Sequence, residues 1–199
     1  MYIADMHCDS LSLVSGDRGL VNSYNFSKNN PQLQFVASFT KGSYGPPHKR
    51  RKKTFEDLNV YLSECDRLGI YKVNCSRDVF HAEENKRSAL FALEGGGGFS
   101  PDAEELRILK SGGLSVFGMC WDKNELCSSS SDAIDEGLTD EGRLMVDRLC
   151  EQSIIIDCSH VSDRSFYEIM ELTAMPVIAT HSNFREIADS SRNLTLKMA

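Results

Sequence analysis

The chain lacks any apolar run approaching the ~20 residues that span a bilayer, so no segment reads as a membrane span. A strand-like pattern begins at the first residues, leaving no room for a secretory leader. The tail from Leu194 to Ala199 is neither a lipidation signal nor an anchor. CxxC pairs are missing as well, and the seven cysteines form an odd set. They read as reduced thiols packed as small apolar residues. There is no basic excess: the formal net charge of −7 counts against a nucleic-acid partner. Neither an internal repeat nor a linker divides residues 1–199, which read as one domain. Together these absences indicate a cytoplasmic globular protein without a nucleic-acid or membrane partner.

What is present is an alternation of strand and helix patterns, the signature of a parallel sheet with crossover helices. Short continuous apolar runs at residues 2–5, 33–39, 88–93, 114–120, 153–158 and 176–180 read as strands buried on both faces. Thr54-Phe-Glu-Asp57 has the spacing of a capping box, with Phe55, Leu58, Leu62 and Cys65 at helical intervals and Gly69 as a stop. Ser100-Pro101 reads as a cap followed by proline at the first helical position. Thr139 and Ser162 read as caps of two further helices. The segment from Lys41 to Lys53, with turn formers and five consecutive basic residues, reads as a solvated, mobile loop. His48 and His81 fall in loop-like contexts and read as surface residues.

Candidate ligands sit at the ends of four of these runs. His7 and Asp9 are two apart, so an extended segment projects both to one side. Glu94 closes its strand and precedes four glycines, which suit either a close approach of backbone and metal or a plain strand-to-helix turn. His160 and His181 each end an apolar run. Singly, each histidine reads equally as a satisfied buried residue. Ligands at successive strand tips follow the plan of α/β-barrel enzymes, and imidazole with carboxylate suits Zn²⁺ or a similar ion.

Six segments carry a resemblance to a known family: Asp5-Met-His-Cys-Asp9, Leu93-Glu-Gly-Gly96, Gly137-Leu-Thr139, Ile156-Asp-Cys-Ser-His-Val-Ser162, Pro176-Val-Ile-Ala-Thr-His-Ser182 and Arg192-Asn-Leu194. In order and spacing the chain resembles the membrane dipeptidase (renal dipeptidase, peptidase M19) family from end to end. The resemblance implies an amidohydrolase-like (β/α)8 TIM-type barrel with two zinc ions. His7 and Asp9 would hold the first ion, His160 and His181 the second, and Glu94 would bridge them. It implies a small dipeptide as substrate, with Arg192 holding the substrate carboxylate. Trp121 reads equally as an aromatic cover of the barrel mouth or a substrate contact.

A complete barrel of this type needs about 250 residues, and the chain has 199. About six of eight strands are expected, so the barrel is incomplete. The family's last-strand aspartate, a ligand of the first ion and a proton carrier, has no counterpart here. Impaired hydrolysis and self-association through exposed sheet edges are therefore expected. Two alternatives stand beside this one. One is a non-catalytic metal-binding or interaction remnant; the other is a different amidohydrolase-like barrel hydrolase. His-x-Asp and Glu94 count against the latter, whose sites carry His-x-His and a bridging lysine.

Overall fold

A computed structural model describes residues 3–9, 11, 32–82 and 87–199. Its strands are β1 (Ile3–Cys8), β2 (Gln32–Phe39), β3 (Tyr71–Lys72), β4 (Arg87–Glu94), β5 (Leu114–Gly118) and β6 (Ile155–Asp157). The helices are α1 (Pro47–Leu68), α2 (Ser76–Ala82), α3 (Ala103–Gly112), α4 (Asp140–Glu151) and α5 (Asp163–Leu172). All strand pairs are parallel, in the order β1-β2-β4-β5-β6. The short β3 pairs with β4 at Ser88 and Ala89, before β5 takes over at Phe91. This is an incomplete (β/α) barrel.

The apolar runs are continuous because the central strands are covered on both faces. Along β4 every residue from Ser88 to Glu94 is buried. Phe91 and Leu93 pack with Phe117 against Leu106, Leu109, Met145, Leu149 and Ile169 of the helices. On the opposite face Leu90 and Ala92 join Leu33, Phe35, Val73 and Val116 in a second cluster. Parallel pairing brings the C-terminal strand ends to one rim. Phe39 of β2 lies in register with Glu94 of β4.

Several sequence expectations are corrected. Residues 47–53 are not a loop: they form the first turns of α1, which starts at Pro47 with Pro46 as its N-cap. A basic first turn opposes the helix dipole, but four of the five basic residues at 49–53 are paired with acids. Arg50 is buried and reaches Glu125 at 2.6 Å, while Lys53 and Lys52 pair one turn on with Asp57 and Glu56. Thr54 therefore lies inside the helix, its hydroxyl donating to the Arg50 carbonyl rather than capping. His48 is exposed as expected, but on a helix, and His81 falls within α2. The run at 176–180 contributes only one bridge to the sheet, Ile178 beside Asp157. Gly69 does stop α1 in a left-handed conformation, and Thr139 and Ser162 cap α4 and α5 through their hydroxyls.

The cap of α3 is Asp102, whose carboxylate accepts the Glu104 and Glu105 N–H groups, not Ser100. Losing such a cap costs about 1 kcal/mol. Asp102→Ala should lower the stability measured by urea unfolding by that amount, and Ser100→Ala by less than half of it. Equal losses would contradict the assignment.

Candidate metal centre

The ends of three strands and the segment after the Ile178 bridge deliver the centre. His7 comes from a bulge in β1: Asp5 to Cys8 spans three residues where Gln34 to Val36 of β2 spans two. Such a bulge re-aims a side chain at a sheet rim. Glu94 ends β4, and the following Gly95 has φ +91, where a Cβ would lie only 2.0 Å from the Thr40 carbonyl oxygen. That glycine is thus explained by a tight turn against the end of β2. His160 follows β6 in the left-handed region, φ 70, a strained choice for a side-chain-bearing residue. Backbone contacts hold it there, the His160 carbonyl accepting the Ser130 N–H at 2.7 Å. His181 follows the single bridge at Ile178.

The three imidazoles converge on one buried carboxylate. His160 Nε2 lies 2.8 Å and His181 Nε2 3.4 Å from Glu94 Oε1, and His7 Nε2 lies 3.3 Å from Glu94 Oε2. His7 Nε2 also lies 3.3 Å from Asp9 Oδ1. The His160 and His181 Nε2 atoms are 2.9 Å apart, and the His7 and His181 rings stack at 3.8 Å. Ligand atoms of His7, Glu94 and His181 fall within 4.8 Å of one another. All five sequence-predicted ligands are therefore brought together.

The donor set fits a divalent ion. The Thr180 hydroxyl donates to Asp157 Oδ2 at 2.5 Å and lies 2.8 Å from His181 Nδ1. With its only proton committed to the carboxylate, it must accept from His181 Nδ1–H. His181 Nε2 then faces the Glu94 oxygen, and a cation, either a proton or a metal ion, lies between the two acceptors. The His7 and His181 nitrogens lie 3.3 and 3.4 Å from Glu94 oxygens, close to the edge of a tetrahedron with ~2.0–2.1 Å bonds to a zinc-sized ion. His160 Nε2 lies closer, 2.8 Å from Glu94 Oε1 and 2.9 Å from His181 Nε2.

The charges agree with this. Burial works to raise the Glu94 pKa, but hydrogen bonds from His160, His181 and His7 hold it well below the usual carboxylate range. Burial, with the Arg192 charge nearby, outweighs the pull of Glu94 and keeps His160 below the ordinary imidazole value, in its neutral ligand form. For His7 burial is outweighed instead: the Asp9 and Glu94 carboxylates push it up to about 10. Metal binding must displace that proton.

Around the centre, Arg192 donates to the His181 carbonyl at 3.1 Å and the Ser182 hydroxyl at 2.7 Å. The Trp121 ring lies 5.9 Å from that of His160. Asp157 and Thr180 lie inside the motif segments, but their roles were not legible from the sequence. Buried Asp157 also accepts the Thr180 and Ser159 N–H groups, so it fixes the segment that carries His181.

The same residues place the chain among known proteins. The profile of the membrane dipeptidase family (peptidase family M19) matches residues 6–197, and the chain belongs to that family. The dipeptidase tcpJ of Claviceps purpurea is 30% identical over 155 residues, 74% of this chain and 36% of that protein. The solved structure of the metallopeptidase dipeptidase AC, of family M19, superposes with a TM-score of 0.75 at 21% identity, covering 83% of this chain and 54% of that one. A metallopeptidase from Rhodobacter sphaeroides, liganded with a phosphinate mimic of the dipeptide L-Ala-D-Ala, gives 0.71 at 21%, covering 83% and 56%. The chain thus spans between about a third and just over half the length of these relatives.

If Thr180 sets the His181 tautomer, Thr180→Val should weaken zinc binding about 10- to 100-fold, with Thr180→Ser close to the parent. Competition against a chromophoric chelator measures this. The same titration should show affinity rising with pH toward the His7 value near 10. A Thr180→Val chain with parental affinity, or affinity flat with pH, would contradict the assignment.

Proposed function

We propose that this chain provides a two-zinc centre for hydrolysing the peptide bond of dipeptides, with His7 and Asp9 at the first ion, His160 and His181 at the second, and Glu94 between them. The observation that carries the reading is the convergence of three imidazoles from distant strands on one buried carboxylate. Family membership and the dipeptide mimic bound by the Rhodobacter relative support it. Nitrogen and oxygen donors of this mixture suit zinc. When bound, the ions supply polarisation of the scissile carbonyl and a water acidic enough to attack near neutral pH.

The chain's own residues bind and orient. Glu94 stays ionised against its burial and so gives both ions an anionic ligand. Arg192, fixed on Ser182 and the His181 carbonyl, offers a planar fork suited to a substrate carboxylate. The Trp121 ring stands beside that of His160 at the rim. Among the described residues, Glu94 and Asp9 are the carboxylates in contact with the three imidazoles, and this reading gives both to the ions. Proton transfer then needs a further group, worth roughly 10²–10⁴ in rate. Among the described residues β1 pairs only with β2, and the sheet ends beyond β6 in the single bridge at Ile178. Both edges favour association with a second chain.

The 199-residue chain, assayed alone with added zinc, should hydrolyse simple dipeptides roughly 10²–10⁴-fold more slowly than a full-length relative, and should sediment as more than a monomer. Dipeptides, hydantoins and phosphotriesters form the assay panel, with zinc per chain measured alongside. Turnover of only the latter two would overturn the dipeptidase reading, and full zinc occupancy without any turnover would favour a non-catalytic remnant.

A further inference from the structure

Beside the metal centre, the ammonium of Lys41 is enclosed by three aromatic rings. Its Nζ lies 5.2 Å from the Trp121 ring centroid, 5.7 Å from that of Tyr44 and 5.9 Å from that of Phe39. The rings support one another edge-on, Phe39 with Tyr44 at 5.6 Å and with Trp121 at 5.4 Å. Trp121 in turn stands 5.9 Å from the ring of His160. The cage is therefore one ring removed from a proposed ligand.

The backbone fixes this position on both sides. Phe39 is in register with Glu94, the Thr40 N–H donates to the Glu94 carbonyl at 2.9 Å, and the Thr40 hydroxyl donates to the Gly95 carbonyl at 2.5 Å. On the other side the Gly42 N–H donates to both oxygens of Asp122, at 3.2 and 3.1 Å. Adjacent strand tips thus carry Lys41 to the rim where Glu94 sits.

The charge arrangement distinguishes Lys41 from an ordinary surface lysine. The neighbouring acid, Asp122, turns its carboxylate to the Gly42 backbone, and no ion pair of Lys41 forms among the described residues. Cation–π contacts hold an ammonium in place but leave its N–H donors able to take an anion. A second cation, Arg192, already stands on the His181 side. Two fixed cations flanking one centre complement a substrate with two carboxylates.

We propose that Lys41 is a specificity-determining residue that selects dipeptides bearing an acidic side chain, its ammonium taking the side-chain carboxylate while Trp121 and Tyr44 pack on the adjoining methylenes. The inference rests on the dipeptidase reading and adds a substrate class to it. Arg192 serves the terminal carboxylate and Lys41 the side chain.

Trp121 is the single tryptophan of the chain, so its fluorescence reports occupancy of the cage without interference. The zinc-loaded 199-residue chain is titrated with glycyl-glutamate and glycyl-glutamine, which differ in charge but hardly in shape, and with the reversed pair glutamyl-glycine and glutaminyl-glycine. In at least one order the acid should bind about tenfold more tightly than the amide, the scale of a charge-assisted hydrogen bond. The margin should shrink in about 0.5 M NaCl. Lys41→Met should abolish the preference and leave amide affinity within about twofold, and Lys41→Arg should keep the preference. Equal affinities in both orders in the unaltered chain, or a preference that survives Lys41→Met, would overturn the proposal alone. A zinc-loaded chain that binds none of the four peptides would remove the dipeptidase reading together with it.

Discussion

A carboxylate buried to the extent of Glu94, 7% exposed, cannot stay ionised in a protein interior without compensating charge or hydrogen bonds. Here the compensation comes from three imidazoles on three other chain segments. That one constraint ties the tips of β1, β4 and β6 and the segment after Ile178 to a common point. Other features serve it. The bulge in β1 turns His7 inward, Gly95 lets β4 turn against Thr40, and backbone hydrogen bonds keep His160 in its left-handed conformation. Without Glu94 these would be unrelated local irregularities.

The imidazoles are not equivalent, and the difference arises from their surroundings rather than their identity. His7 faces two carboxylates and holds its proton strongly, whereas His160 faces one and has Arg192 nearby. His181 is oriented through Thr180 by a buried aspartate that touches no other imidazole of the centre. His160 is thus held ready as a neutral ligand, while His7 must release a proton before it can bind a metal. Lys41 and Arg192 add positive charge at the rim, which opposes metal binding unless an anionic substrate offsets it.

The convergence of the candidate ligands was legible in the sequence because each stands at or near the end of an apolar run, and a parallel sheet brings such ends together whatever their separation along the chain. The general order of strands and helices was legible for the same reason. The basic run at residues 49–53 was misleading: preceding glycine and prolines, with like charges in series, have the composition of a loop. Its helical state depends on Asp57, Glu56 and especially Glu125, a partner 75 positions from Arg50. Ser100 and Asp102 are both good caps, and only the backbone path selects between them. Asp157 and Thr180, 23 positions apart, could be linked only once β6 and the following segment were placed side by side. The Lys41 cage was not legible for the same reason, since Trp121 reaches it from just beyond the end of β5, a strand that does not pair with β2.

The proposed function makes Glu94 the shared anionic ligand of both ions. Glu94→Gln keeps the shape and removes the charge, and zinc per chain after dialysis against a weak chelator reads the consequence directly. The parent chain should retain zinc and Glu94→Gln should lose it from both positions, while circular dichroism remains that of the parent. Parental zinc content in a folded Glu94→Gln chain would contradict a shared carboxylate at the heart of the site.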